Sequence, residues 1–576
     1  MNYMDQYNRW LSEAKVTNEE KEELLSIKDS DDEIKLRFIN YLEFGTAGLR
    51  GVMVAGTNAM NNHTVAHATQ GFADYILSVH EEERGVVIAH DSRINSRIFA
   101  EITASVFAAN GIKTYIFDSL RPTPVLSFAI RHLGCAAGVN ITASHNPKEY
   151  NGYKAYWDDG AQLSLEQADA VFAYIKATDI FNGVKTVDYN EAVASGKITV
   201  VGPEIDDAYV QNVTAQLVDP SIIRKMADEL KIVYTPLHGC GYRLVPEVLR
   251  LCGVKHLFCV ADQMVLDGSF PTVASPNPEN SEALDLGEAL AEKVGSDLVI
   301  ATDPDADRTG IKARRKDGSF ATMTGNQVGA LLLDYILTAY ENTNTMPEGA
   351  YAVKTIVSTE MVTRICKEHG VDLHNVLTGF KFIGEVIKNH DDIGIGNFLL
   401  GFEESYGYLK GTYARDKDAV VAVMLITEMA AYYKSKNMTL SDALELLYEK
   451  YGYYGEKTLN VYMKGVDGAD RMKALLERIR NNPPAEIGGM KVVSVRDYLK
   501  GTITDLESGA VTPTNLPISN VLYFETAGAV GGNVLIFRPS GTEPKIKIYL
   551  LANGKDKAEL DMTLAAMQKS SDELIG

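Results

Sequence analysis

Short runs of consecutive apolar residues alternate along this chain with longer stretches whose apolar positions recur every three or four residues. "GVVIAH" (85–90) has the length of a buried strand, and "SRIFAEITASVFAANG" (96–111) has helical spacing and stops at a glycine. "KTYIFD", "PVLSFAIRHLG" and "AAGVNITAS" continue the alternation as strand, helix and strand. A second round runs from "KIVYTPLHG" (231–239) through the helix "YRLVPEVLRLCG", the strand "VKHLFCV" and the Pro/Asn-rich loop "ASPNPENSEA" to "DLVIATDPDADR". A third has the helix "GNQVGALLLDYILTAY", the strand "AYAVKTIVS", the helix "MVTRICKEHG", the segment "VLTGFKFIGE" and the strand "NFLLGFEESYGY". Strand–helix alternation predicts largely parallel sheets covered on both faces.

The pattern changes at both ends. Residues 1–40 are polar with helical spacing and predict a surface helical arm. From about 437 onward come a helical stretch (469–482), Pro483-Pro484, and strands around "NVLYFETAGAVGGNVLIFRPSGTEPKIKIYLLA". The predicted division is 1–200, 201–314 and 315–436 as three related α/β domains with mixed, largely parallel sheets, and 437–576 as a C-terminal α+β domain. The repeat is too long for a solenoid.

Each α/β round ends a strand in a polar loop: TASHNP (142–147), TDPDAD (302–307) and GFEES (401–405). Ligands of open α/β sheets collect at the carboxyl ends of strands, so these loops are expected to share one central cleft. In the first, an extended chain would aim Ser144 and His145 in different directions, leaving His145 badly placed to take the serine proton. Asn151-Gly152 predicts a tight turn that brings Lys154 back toward Ser144 on a returning strand, as a proton acceptor or phosphate counter-charge. In the second, Asp303, Asp305 and Asp307 alternate, and an extended backbone would point all three carboxylates one way. Crowded carboxylates favour a hard divalent cation, while a solvated acidic turn and an aspartyl-phosphate nucleophile at Asp303 are the competing readings. The calcium-loop pattern is absent, because its sixth and twelfth positions hold Arg308 and Arg314.

Further loops carry anion-binding chemistry. Arg538, Ser540, Gly541 and Thr542 of "RPSGT" can clamp a phosphate or form a plain hairpin turn, with Lys545 and Lys547 adding charge. Glu403 and Ser405 suit sugar hydroxyls, or a polar sheet rim. Thr378, Gly379 and Lys381 lie in a Gly-bounded apolar loop, where Lys381 either meets a phosphate or snorkels to the surface. "FGTAGLRG" offers Arg50 between glycines, and "HDSR" (90–93) reads as a helix cap.

The bulk numbers narrow the class. The 576 residues carry a formal charge of −21, which argues against nucleic acid and anionic membranes as partners. Five scattered cysteines without C-x-x-C spacing indicate neither a disulfide framework nor a zinc site and suit a reducing cytoplasm. The first residues lack a secretory pattern, and no apolar run reaches the ~20 residues of a membrane span.

TASHNP, DPDADR, GFEES and RPSGT, in this order and one per predicted domain, resemble the α-D-phosphohexomutase superfamily in its longer phosphoglucomutase/phosphomannomutase type, over nearly the whole chain. The resemblance implies four domains around a central cleft. It implies that Ser144 carries a phosphoryl group and that Asp303, Asp305 and Asp307 hold Mg²⁺ with a phosphoserine oxygen. Arg50, His145, Lys154, Arg308 and Lys381 would lie near the reacting phosphate, with Lys154 a general acid/base. Glu403 and Ser405 would bind sugar hydroxyls, with Thr378 and Gly379 beside the substrate. Arg538, Ser540, Gly541 and Thr542 would grip the phosphate not being transferred, and Lys547 stands where relatives carry an arginine. The implied activity interconverts α-D-glucose 1-phosphate and glucose 6-phosphate through glucose 1,6-bisphosphate. Mannose and pentose phosphates are alternative substrates, and a Mg²⁺-dependent phosphatase or a sugar-phosphate sensor are competing classes.

Overall fold

The computed structural model describes residues 2–44, 48–463, 467–528, 531–540 and 545–576. The strand Val86–His90 is buried along its whole length, and its side chains divide by parity. Val86 and Ile88 enter one core with Phe72, Phe99 and Phe107, while Val87 and Ala89 enter another with Val125 and Ala129. That two-residue period, with helices on both faces, makes the first sheet the middle layer of three. Its six strands run in the order Leu49–Val52, Tyr150–Trp157, Ala137–Ile141, Val86–His90, Thr114–Phe117 and Ile198–Val201. The last four pair in parallel; Tyr150–Trp157 joins antiparallel and places Lys154 opposite Asn140.

The second sheet pairs Lys231–Thr235 in parallel with His256–Cys259 and Leu298–Thr302, then adds two antiparallel strands. The third pairs Ala350–Thr355 in parallel with Asp372–Val376 and Asn397–Phe402. The C-terminal sheet is antiparallel in every described pair and is covered by the helices Gly468–Asn481 and Lys557–Ile575. Thus three mixed, largely parallel α/β sheets and one α+β unit form the molecule, as the hydrophobic pattern predicts.

One core spans the three α/β units. At its centre lies the helix Ala419–Lys434, buried around nearly its whole circumference because apolar residues occupy nearly all of it. Around it pack Pro203–Thr214, Pro220–Lys225, Gly241–Cys252 and Gly325–Thr343. The C-terminal unit attaches through a separate core in which Ile356, Val357 and Leu377 meet Tyr523, Ile536 and Tyr549. The N-terminal arm is three helices, and it is more than a surface feature. Trp10 is fully buried, with ring centroids 5.9 Å from Phe38 and 5.6 Å from Phe181, which docks the arm on the first unit.

Candidate active site

The three strand-end loops share one structural device. Each turns through a left-handed residue that is not glycine: Ser144 at φ 51°, Ala306 at φ 50° and Tyr406 at φ 66°. Such backbone costs on the order of 1–2 kcal/mol per residue and persists only where surrounding contacts impose it.

That conformation revises the reading of the Ser–His pair. The chain at Ser144 is not extended, so its neighbour's side chain folds back, and Ser144 Oγ lies 3.1 Å from His145 Nδ1. The hydroxyl donates to Asp303 Oδ2 at 2.8 Å, across 159 residues of sequence. Burial, then Arg308 and Arg50, hold the His145 imidazole well below its ordinary pKa, in its neutral form. Asn151-Gly152 is no turn: both residues pair within the strand, opposite Gly51 and Arg50. Sheet pairing overrides the local preference of that dipeptide, and the chain reverses earlier, between Ile141 and Tyr150.

The aspartates also converge differently from the extended reading. Residues 303–306 form a turn closed by Ala306 N–H on Asp303 C=O at 2.9 Å. All three carboxylates are buried, and one oxygen from each lies within 4.8 Å of the others. Lys154 Nζ donates to Asp305 Oδ2 at 2.7 Å and Asp307 Oδ2 at 3.2 Å; no hydrogen bond joins it to Ser144. Burial opposes charge on Lys154, but Asp305 and Asp307 outweigh it and raise the ammonium's pKa. Burial also drives the Asp303 carboxyl well up, reinforced by Asp305 and Asp307. Asp307 goes the other way: burial opposes it, yet Lys154, Lys417 and Arg308 keep it ionised. Asp305 Oδ1 and Asp307 Oδ1 are buried without a hydrogen-bond partner. Two orphaned carboxylate oxygens beside a serine hydroxyl fit a hard divalent cation such as Mg²⁺.

A cavity of about 560 Å³ opens above this group and draws lining residues from all four units. Among the sequence-predicted residues, Arg50, Ser144, His145, Lys154, Asp307, Arg308, Thr378, Gly379, Glu403, Ser405, Arg538 and Lys547 line it. Asp303 and Asp305 lie buried beneath. Gly379 N–H donates to Glu403 Oε1 at 3.0 Å, tying the third unit's two loops together. Arg538 and Lys547 stand opposite each other on neighbouring strands, and Arg538 Nη1 donates to Tyr549 OH at 3.2 Å. Burial, then Glu403, push the Glu404 carboxyl up to about 7.

Besides Asp303 and Asp305, two described residues predicted for the site, Lys381 and Ser540, do not line the cavity. Lys381 belongs to the first turn of the helix Phe380–Ile393 rather than to a loop. Its Nζ is buried without a hydrogen-bond partner, 5.3 Å from the Phe382 ring centroid. Ser540 follows the strand Val534–Pro539, where its N–H donates to Lys545 C=O at 2.7 Å. Gly541 and Thr542 lie outside the described residues.

Sequence reasoning missed three groups. Lys417 Nζ reaches Asp416 Oδ1 at 2.9 Å and Asp307 Oδ2 at 3.3 Å, and Asp416 also accepts from Tyr156 OH at 2.8 Å. The signal was the charge run "ARDKDA" leading straight into a predominantly apolar helix. Glu279, from the Pro/Asn-rich loop, pairs with Arg308 at 2.5 Å. "HDSR" is not a cap: the following helix is Ser96–Ala109, with Asn95 at its N-cap making no side-chain cap bond. Asp91 instead accepts from Thr142 Oγ1 and Ser96 Oγ, each at 2.7 Å, which braces the serine loop. It follows a fully buried strand, as the serine and aspartate loops do.

The arrangement has known counterparts. Models for phosphoglucomutase/phosphomannomutase alpha/beta/alpha domains I, II and III match residues 41–180, 207–318 and 324–451. A phosphoglucomutase of Staphylococcus saprophyticus is 36% identical over 521 residues, covering 90% of this chain and 92% of that protein. One from Staphylococcus haemolyticus is 37% identical over 517 residues, covering 90% and 91%. Among solved structures, parafusin from Paramecium, described as a phosphoglucomutase in an open form, aligns with TM-score 0.70 at 21% identity, covering 93% of this chain and 94% of that one. A phosphomannomutase structure from Thermus thermophilus aligns at 0.68 and 20%, covering 93% and 99%. Those two likenesses concern the fold; the domain matches and the Staphylococcus relatives place this chain in the phosphoglucomutase/phosphomannomutase family.

Proposed function

We propose that this protein is a phosphoglucomutase that interconverts α-D-glucose 1-phosphate and D-glucose 6-phosphate through a phosphoserine at Ser144 and a glucose 1,6-bisphosphate intermediate. The observation that carries the reading is the Ser144 hydroxyl 2.8 Å from Asp303, above buried orphaned carboxylate oxygens and in a cavity shared with Arg538 and Lys547. The Staphylococcus phosphoglucomutases support glucose as the sugar.

Arg538 and Lys547, with Ser540, Gly541 and Thr542, hold the phosphate that stays in place. Glu403 and Ser405 accept and donate to sugar hydroxyls, and the free hydroxyl then faces phospho-Ser144. The phosphorus–Oγ bond breaks as the bond to the sugar oxygen forms. The Lys154 ammonium gives a proton to the departing Oγ, and the amine this leaves takes the proton of the sugar hydroxyl. Arg50, neutral His145 and Arg308 orient the transferring group and offset its charge, the main requirement of phosphoryl transfer. Asp303, Asp305 and Asp307 would hold Mg²⁺, which would supply a Lewis acid to offset the phosphoryl charge. After the bisphosphate reorients, the same groups run the step backward on its other phosphate, and a shared cavity keeps water from the phosphoserine. Among the described residues no helix is long and apolar enough to cross a membrane. Five free cysteines suit a reducing cytoplasm, the location we propose, with hexose phosphates as partners.

A coupled assay with Mg²⁺ and bisphosphate activator should give the highest kcat/KM with glucose 1-phosphate, above mannose and pentose 1-phosphates. A preference for either of the others would overturn the assignment of the sugar, and undiminished turnover in Ser144→Ala would overturn the mechanism.

A further inference from the structure

One segment of the second unit, Asp267–Glu279, touches the reacting groups twice without belonging to them. On its own unit it is firmly seated. The buried His238 ring bonds Val265 C=O at 2.7 Å and Thr272 Oγ1 at 2.8 Å through its two nitrogens, and Gln263 Nε2 donates to Thr272 Oγ1 at 3.1 Å. From there it presses on the first unit. Gly268 lies so close to the Arg93–Ile94 backbone that a Cβ would stand 2.4 Å from Ile94 N, so only glycine fits. Ser275 Oγ donates to His145 C=O at 3.0 Å.

The buried Phe270 ring lies 5.0 Å from the Arg93 guanidinium carbon. Arg93 is itself buried, pairs with Asp91 at 3.3 Å, and donates to four carbonyl oxygens of the serine loop. These are Ser144 and Asn146 at 2.5 Å each, Pro147 at 2.9 Å and Tyr150 at 3.1 Å. A planar cation with five fixed donors is the one side chain able to hold so many diverging carbonyls. It offsets the strain of the left-handed Ser144, and the aromatic face opposite fixes its plane. At its far end the same segment supplies Glu279, which holds Arg308 in the cavity.

We infer that Asp267–Glu279 is an interdomain latch, with Arg93 and Phe270 as positioning residues that set the phosphoryl-carrying oxygen of Ser144. This rests on the phosphoserine reading above. Transfer is sensitive to placement, with an error of about 1 Å costing on the order of a hundredfold, so a loosened latch should act on the transfer rate before it acts on sugar binding.

The test uses full-length wild type, Arg93→Lys, Phe270→Ala and Ser275→Ala with Mg²⁺ and glucose 1,6-bisphosphate. Intact mass follows Ser144 phosphorylation over time, alongside kcat and KM for glucose 1-phosphate. Phe270→Ala and Arg93→Lys should slow phosphorylation and lower kcat by about tenfold to a hundredfold. The final stoichiometry and KM should stay close to wild type, a pattern that partial unfolding does not produce. Ser275→Ala should show a smaller effect of the same kind. If Arg93→Lys does not fold, the Phe270 and Ser275 variants carry the test. Unslowed transfer in all of them, or a loss confined to KM, overturns the latch alone. A wild type that takes no phosphate on Ser144 overturns the reading beneath it as well.

Discussion

At the scale of single residues, the site is a problem in charge balance. Asp303, Asp305 and Asp307 are buried together; Lys154 reaches Asp305 and Asp307, and Lys417 reaches Asp307 and Asp416. Removing one partner from such a group leaves a buried charge uncompensated, which costs about 3–5 kcal/mol. Lys154→Met should therefore lower Tm sharply without metal, and added Mg²⁺ should raise the variant's Tm more than that of wild type. An equal rise in both would show that Lys154 and a cation do not offset the same carboxylates. Asp305→Asn removes a proposed ligand and should weaken Mg²⁺ activation by on the order of a hundredfold, with a large fall in kcat. Wild-type kinetics at limiting Mg²⁺ would count against the metal assignment. The three aspartates were legible in sequence because a D-x-D-x-D run after an apolar strand is unusual. Lys417 and Glu279 were not, because each is defined by a partner more than twenty residues away. The Ser–His contact was misjudged because it depends on one left-handed residue, and nothing in TASHNP marks the serine as left-handed.

At the scale of elements, period and length served well where a segment is buried on two faces, as in Val86–His90 and Leu298–Thr302. They failed where long-range pairing overrides a local signal: Asn151-Gly152 became part of a strand, and "GFKFIGE" became a helix start. The central helix Ala419–Lys434 shows how an element carries a polar group into a core. Its Glu428 is fully buried and accepts Val218 N–H at 2.9 Å and Asp219 N–H at 2.5 Å. Burial pushes its carboxyl up to about 7, and the two N–H donors only partly oppose this. The folded state thus favours the neutral acid. This contribution to stability is complete below pH about 4.5 and is lost as pH rises through about 7, a change on the order of 3 kcal/mol. Glu428→Gln lacks that loss, so the variant's Tm relative to wild type should rise between pH 5 and pH 8. A difference that stays flat with pH would contradict the assignment.

At the scale of the whole molecule, three α/β units share one core while the C-terminal unit meets them through a second, smaller one. The cavity lies where these two bodies face each other, with the aspartates and Ser144 on one side and Arg538 and Lys547 on the other. Such a layout suits a reaction in which one phosphate is held while the other is exchanged. The order of the four loops along the chain made this architecture readable in advance, since each sits at a strand end. The contacts that knit the loops together were not readable, because Arg93 and Asp91 act on a loop that the folded first unit brings back to them, and Phe270 acts on Arg93 from another unit. Peptide-level mass spectrometry after incubation with Mg²⁺ and glucose 1,6-bisphosphate decides whether Ser144 carries the phosphoryl group. One phosphoryl group is expected, on the peptide bearing Ser144, discharged by glucose 1-phosphate and absent from Ser144→Ala. Phosphate on Asp303, or a Ser144→Ala protein that still turns over glucose 1-phosphate, would contradict it.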